Sequence, residues 1–191
     1  YNSGTLWERT LFGCLFEDRP LTQLHQALLA HKNPDSGWGH ALEHDVRTPD
    51  SNPVALEFLL TVLRVTSIPA GNLLDGTASW VEANRNPDGT LKVTSSFFEY
   101  PHAPWWDELG VAPPADSIVG NLARLKLSTP SLEETTRQWA QINLTPEKIL
   151  ANEWLFAAFH AYDYCFGVND FPDSERCRAA TIQNIADCAA K

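Results

Sequence analysis

The chain has 191 residues, 43% of them hydrophobic and 20% charged, which suits one globular domain, here residues 1–191, with a core of useful size. A formal net charge of −10, with no cluster of Lys and Arg, argues against nucleic acid as a partner. No apolar run is long enough to span a bilayer, and no basic-then-apolar leader opens the chain.

Helical periodicity begins at once. Residues 4–17 carry Leu6, Trp7, Leu11, Phe12, Leu15 and Phe16, and Pro20 closes that element. Residues 21–31 repeat Leu at three- and four-residue intervals. Then comes a turn, Asn33-Pro34-Asp35-Ser36-Gly37-Trp38-Gly39, and a polar loop to Ser51. Residues 53–65 form the clearest amphipathic helix, with Val54, Ala55, Phe58, Leu59, Val62 and Leu63 on one stripe. Asn52 is its expected cap and Pro53 its first residue.

Helix resumes over 72–85 and meets a second turn, Asn86-Pro87-Asp88-Gly89-Thr90, 53 residues after the first. A period near 50 is the mark of a repeat architecture. An irregular stretch, 86–114, is rich in aromatics and prolines, and Leu91–Phe98 within it is a weak strand candidate. Helices are expected at 115–127, 131–142, 147–166 and 173–190. The third of these has almost no polar face, which indicates burial on several sides. The fold class is therefore all-α: eight or nine helices in antiparallel hairpins.

Cys14, Cys165, Cys177 and Cys188 form no Cys-x-x-Cys pair and read as free thiols of an intracellular, cytoplasmic protein. Methionine is absent, initiator included, which points to a processed or incomplete chain.

Two segments hold the candidate chemistry. In the loop 33–51, Asp45 is a candidate acid or base, with His44 and Arg47 as groups that would orient it or tune its protonation. The competing reading makes the acidic and hydroxyl residues of the loop turn and cap devices that staple one hairpin to the next. His40 and His44 are four apart, the helical spacing of two metal ligands, but Gly37, Gly39 and Pro49 oppose a helix there, so no metal site is assigned.

The second segment contains Phe97, Phe98, Tyr100, His102, Trp105 and Trp106. So many rings line a pocket, plug the end of a barrel or meet a partner. A pocket of this kind suits an apolar or cationic guest. No serine-hydrolase elbow, phosphate loop, zincin motif or dinucleotide fingerprint occurs, and no cofactor is assigned.

The run from helix through Asp35-Ser36-Gly37-Trp38 to Ser51-Asn52-Pro53 and a second helix resembles the repeat unit of the terpenoid cyclase and protein prenyltransferase α/α-toroids. In squalene–hopene cyclases a Gln and a Trp staple successive hairpins; here His31 stands near the Gln position, and the second copy lacks the Trp. The resemblance covers residues 20–130. It implies a partial or open toroid of about four hairpins that holds an apolar, isoprenoid-type ligand among Trp38, His40, Phe97, Phe98, Tyr100, Trp105 and Trp106. It implies catalysis, if any, by Asp45, His44, Arg47 and His102. The Asp-x-Asp-Asp acid motif of the cyclases and the zinc ligands of the prenyltransferases have no counterpart. A non-catalytic protein-interaction module on the same fold is the alternative. A carbohydrate-active α/α barrel using Glu43, Asp45 and Asp50 is the third reading.

Overall fold

Two turns 53 residues apart impose the same backbone pattern twice, and the rest of the chain is hung on them. In the computed structural model, which describes residues 3–109 and 113–191, Asn33 N donates to Gly37 O (2.9 Å) and Asn86 N to Thr90 O (2.8 Å). Gly39 N donates to His31 O, and Lys92 N to Asn84 O, again at an offset of 53. Short antiparallel bridges join Lys32 to Trp38 and Arg85 to Leu91. Asp35 and Asp88 occupy equivalent corners, each accepting from the backbone two residues on, Gly37 N and Thr90 N.

Ten α-helices stand among the described residues: α1 (Leu6–Phe16), α2 (Leu21–Leu29), α3 (Pro53–Thr66), α4 (Thr77–Ala83), α5 (Trp105–Leu109), α6 (Asp116–Arg124), α7 (Pro130–Asn143), α8 (Pro146–Ala151), α9 (Leu155–Gly167) and α10 (Ser174–Ala189). The start signal of α3 acts as expected. Asn52 Oδ1 accepts from Ala55 N at 2.9 Å, with Pro53 opening α3. Thr129 and Thr145 cap α7 and α8 in the same way, each followed by proline.

Four expectations change. The helix read over 72–85 spans only Thr77–Ala83, and α5 forms inside the stretch read as irregular. The single helix read over 147–166 is two, because Asn152 leaves the helix with extended backbone (ψ 132°) and its Oδ1 accepts from Trp154 N instead. The weak strand at Leu91–Phe98 does not form. Leu91 bridges Arg85 and its amide donates to Pro113 O beside the Thr90–Pro114 bridge, but no ladder extends from them, and Ser95–Phe98 coils into a 3₁₀ turn. Residues 110–112 of the irregular stretch lie outside the described residues.

Helix α6 is the axis of the packing: α3 lies against one side of it, α9 against another, and α7 also contacts it. Further pairs are α1 with α2, α4 with α7, and α10 with both α8 and α9. The α6–α9 crossing is closest at Gly120 and Gly167, where a Cβ on Gly167 would lie 2.0 Å from Gly120 O. The main core joins α1–α4 to α6 through Trp7, Leu24, Leu28, Trp38, Leu56, Leu59, Leu60, Trp80, Ile118 and Leu122. A second core lies under α7–α10, around Ala140, Tyr164, Cys165 and Cys177.

The repeat units are tied to one another as well as packed. Trp80 Nε1 on α4 donates to Asp35 Oδ2 (3.1 Å) in the first turn, and Trp139 on α7 sits against Gly89 in the second. Lys32 donates to Leu73 O and Asp75 O; Arg85, 53 residues later, donates to Ser131 O. Gly89 has φ 86°, a left-handed value that a side chain would strain, and a Cβ there would stand 3.0 Å from Trp139 Cβ.

Candidate functional site

The loop 40–50 and the segment 92–107 do meet. Val46 bridges His102, Arg47 N donates to Pro101 O (3.0 Å), and Ala103 N donates to Asp45 O (2.8 Å). Ser96 Oγ completes the clasp by donating to Asp50 Oδ2. Beneath it, Val46, Val54 and Phe97 make a small core with Val93 and Trp106 packed on it. Phe97 meets Trp106 and Phe98 edge-on, at 5.8 and 5.0 Å between centroids.

This contact runs through backbone, and the polar side chains diverge. His44 stacks on Trp7 and its Nε2 lies 3.1 Å from Glu8 Oε1 on α1. His40 Nε2 faces Asn33 Oδ1 at 2.9 Å, inside the first turn. Arg47 is exposed and Asp45 half-buried. His102 is held by Asp107 Oδ1 (2.9 Å) and Tyr100 O (2.7 Å), which together raise its pKa. Burial raises the Glu43 carboxyl, whose Oε1 accepts from Asp45 N.

Of the aromatic set, Trp38 is fully buried in the main core, its Nε1 3.4 Å from Thr77 Oγ1 and Lys32 Nζ over its ring. Phe97 is equally buried, whereas Phe98, Tyr100 and Trp105 are exposed. Trp38 and Phe97 therefore act as packing, while Phe98, Tyr100 and Trp105 face outward.

A denser polar constellation lies along α6, where α3 and α9 reach toward each other. Glu57 of α3 and His160 of α9 meet with Oε1 and Nε2 2.5 Å apart, and His160 Nδ1 lies 3.7 Å from Asp116 Oδ1 at the first residue of α6. Further along, Arg64 Nε of α3 lies 2.8 Å from Asp163 Oδ1 of α9. Ser117 Oγ donates to the other oxygen of Asp163 at 2.9 Å. The two cross-helix pairs run in opposite senses, acid to base and then base to acid. Arg64 and Arg124 both stand over the Tyr162 ring, at 5.5 and 5.6 Å.

Burial alone would depress the His160 pKa, but Glu57 and Asp116 outweigh it and carry it up to about 11, so the ring is an imidazolium at neutral pH. Burial raises the Asp163 carboxyl, against the opposing pull of Arg64, Ser117, Asn121 and Arg124. Beside this seam α9 leaves Phe156, Phe159 and Phe166 exposed, with Trp154 just before it. Phe156 packs on His160 at 4.6 Å and Tyr162 on Phe166 at 4.7 Å.

The seam was missed by reading loops for chemistry and helices for packing. Its signal was present: Glu57 and Arg64 stand seven apart on an apolar helix, and His160 and Asp163 three apart on a more apolar one. Among the described residues, no group of three or more His, Cys, Asp or Glu side chains is arranged to hold a metal ion. All four cysteines are unpaired, and none of the described helices is long and apolar enough to cross a membrane.

The structure thus defines a class, an all-α protein of repeated helix–turn units. No protein-family model, curated protein or solved structure gives a significant match to the chain.

Proposed function

We propose that this chain is an α/α-toroid-type protein, akin to the terpenoid cyclase and prenyltransferase folds, that binds an apolar ligand of isoprenoid type. The carrying observation is the exposed aromatic side of α9, Phe156, Phe159 and Phe166, lying beside the charged seam between α3 and α9. The repeated turn and the central place of α6 between α3 and α9 support an inner row of helices, the row that faces the cavity in such folds.

Binding is the better-supported half of this reading. An alkene is protonated only by a strong acid, and an imidazolium with a pKa of about 11 is a weak one. The seam suits the anchoring of a polar head on an otherwise apolar ligand.

Equilibrium dialysis with farnesol tests the proposal. Micromolar retention, reduced at least tenfold by Phe159→Asp, is the expected result. No retention, or equal retention by the variant, overturns it. A second reading, a protein-interaction module, draws on the exposed Phe98, Tyr100 and Trp105 of the rim. It predicts that a triple alanine variant at these positions stays folded and retains farnesol unchanged, while losing its partner.

A further inference from the structure

Behind α9, away from its aromatic side, an open cleft of about 250 Å³ lies between α6, α7, α8, α9 and α10. At about 30 Å³ per water in the liquid, that volume equals roughly eight waters, room for a ligand of about ten non-hydrogen atoms. Its walls are largely apolar: Trp139, Leu144, Ile149, Ala157 and Ala161. At one end stand Asp116 and His160.

Asp116 is 2% exposed, yet its Oδ1 accepts no hydrogen bond. The nearest charged donor is His160 Nδ1 at 3.7 Å, beyond hydrogen-bond length. A buried carboxylate oxygen without a donor is costly, and a donor supplied from the cleft would relieve that cost. The other polar groups around the cleft are already engaged. Asn152 Nδ2 donates to Asn184 Oδ1 (3.0 Å), Asn184 Nδ2 to Asn152 O (2.6 Å), and Asn143 Nδ2 to Trp139 O (3.0 Å).

Charge decides the kind of donor. Glu57 and Asp116 carry two negative charges against the single positive charge of His160, which leaves this buried end anionic. Lys148 also borders the cleft, but it is exposed and its Nζ donates to Ile142 O (2.7 Å), so water screens it. The buried charges act through a lower dielectric and dominate.

The geometry points to a second binding site in this cleft for a small organic amine, its ammonium on Asp116 and its apolar body against Trp139 and Ile149. This site shares His160 with the seam invoked for farnesol but opens on Ala157, Ala158 and Ala161 instead of Phe159 and Phe166, so Phe159→Asp should leave amine binding unchanged and the two readings can fail separately.

Isothermal titration with 2-phenylethylamine, and with 2-phenylethanol as its neutral counterpart, tests the assignment on the whole chain. The amine should bind with a sub-millimolar Kd, at least tenfold tighter than the alcohol. Asp116→Asn should erase that difference. If that variant fails to fold, Ala157→Leu narrows the cleft without touching the charged groups and should weaken the amine at least tenfold. Equal binding of amine and alcohol to the native protein, or no heat up to 10 mM amine, overturns the proposal. So does a folded Asp116→Asn, or a folded Ala157→Leu, that binds the amine as the native chain does.

Discussion

Replacing Gly120 by alanine tests how closely α6 and α9 cross. The new Cβ would stand 2.3 Å from Asp163 O, 2.5 Å from Asp163 C and 2.6 Å from Tyr164 Cα. All three are backbone atoms of α9, so no side chain can swing aside. Comfortable carbon contacts begin near about 3.5 Å, so the helices must separate by roughly 1 Å. Overpacking of this kind costs about 1–3 kcal/mol, and a rigid backbone obstacle places it at the upper end. The separation also stretches the 2.9 Å bond from Ser117 Oγ of α6 to Asp163 of α9. Alanine returns about 1 kcal/mol through its helix propensity. The net loss is about 2 kcal/mol, or about 4–8 °C in Tm for a chain of this size. Guanidinium unfolding paired with calorimetry measures both. Gly167→Ala should cost a similar amount, and the double variant should cost less than the sum because one separation relieves both clashes. Loss below about 0.5 kcal/mol, or strict additivity, would refute the close crossing.

Two further outcomes follow from the turns and the seam. Asp35→Ala removes acceptors for Trp80 Nε1, Ser51 Oγ and Gly37 N and should cost about 2–3 kcal/mol in denaturant unfolding. The matching Asp88→Ala, whose bonds among the described residues go to Thr90, should cost clearly less than Asp35→Ala. Because the folded His160 pKa lies above the usual 6.5, its stabilisation is fully present below pH 6.5 and is lost as pH rises toward about 11. Unfolding free energy should therefore decline between pH 7 and 10, and His160→Gln should be less stable at pH 7 and flatter across that range. Parallel pH profiles for the two proteins would count against a charged His160.

The start of α3 was legible because its chemistry is local: Asn52-Pro53 declares a cap within two residues, and the structure shows the same device at Thr129-Pro130 and Thr145-Pro146. The 53-residue repeat was legible for the same reason, since Asn-Pro-Asp dictates its own turn. What escaped was long-range. Trp38 looked available because it sits in a polar loop, but its ring fills the main core. His44 and Asp45 are adjacent in sequence, yet the imidazole turns toward Glu8 on α1. Glu57, Asp116 and His160 are brought together only by the packing of α3 and α9 on α6, which no local pattern encodes.

The ties between repeat units bear on how the chain comes apart. Trp80 holds the turn of the unit before it by a hydrogen bond, Trp139 packs on the next turn at Gly89, and Lys32 and Arg85 reach forward in step. Coupling of this kind runs between nearest neighbours, as in a chain of dominoes, so stability is a sum over units and the joints between them. A lesion at one joint then loosens the two units that share it while distant amides keep their hydrogen-exchange protection, and lengthening the chain by one unit adds both an intrinsic contribution and a new joint.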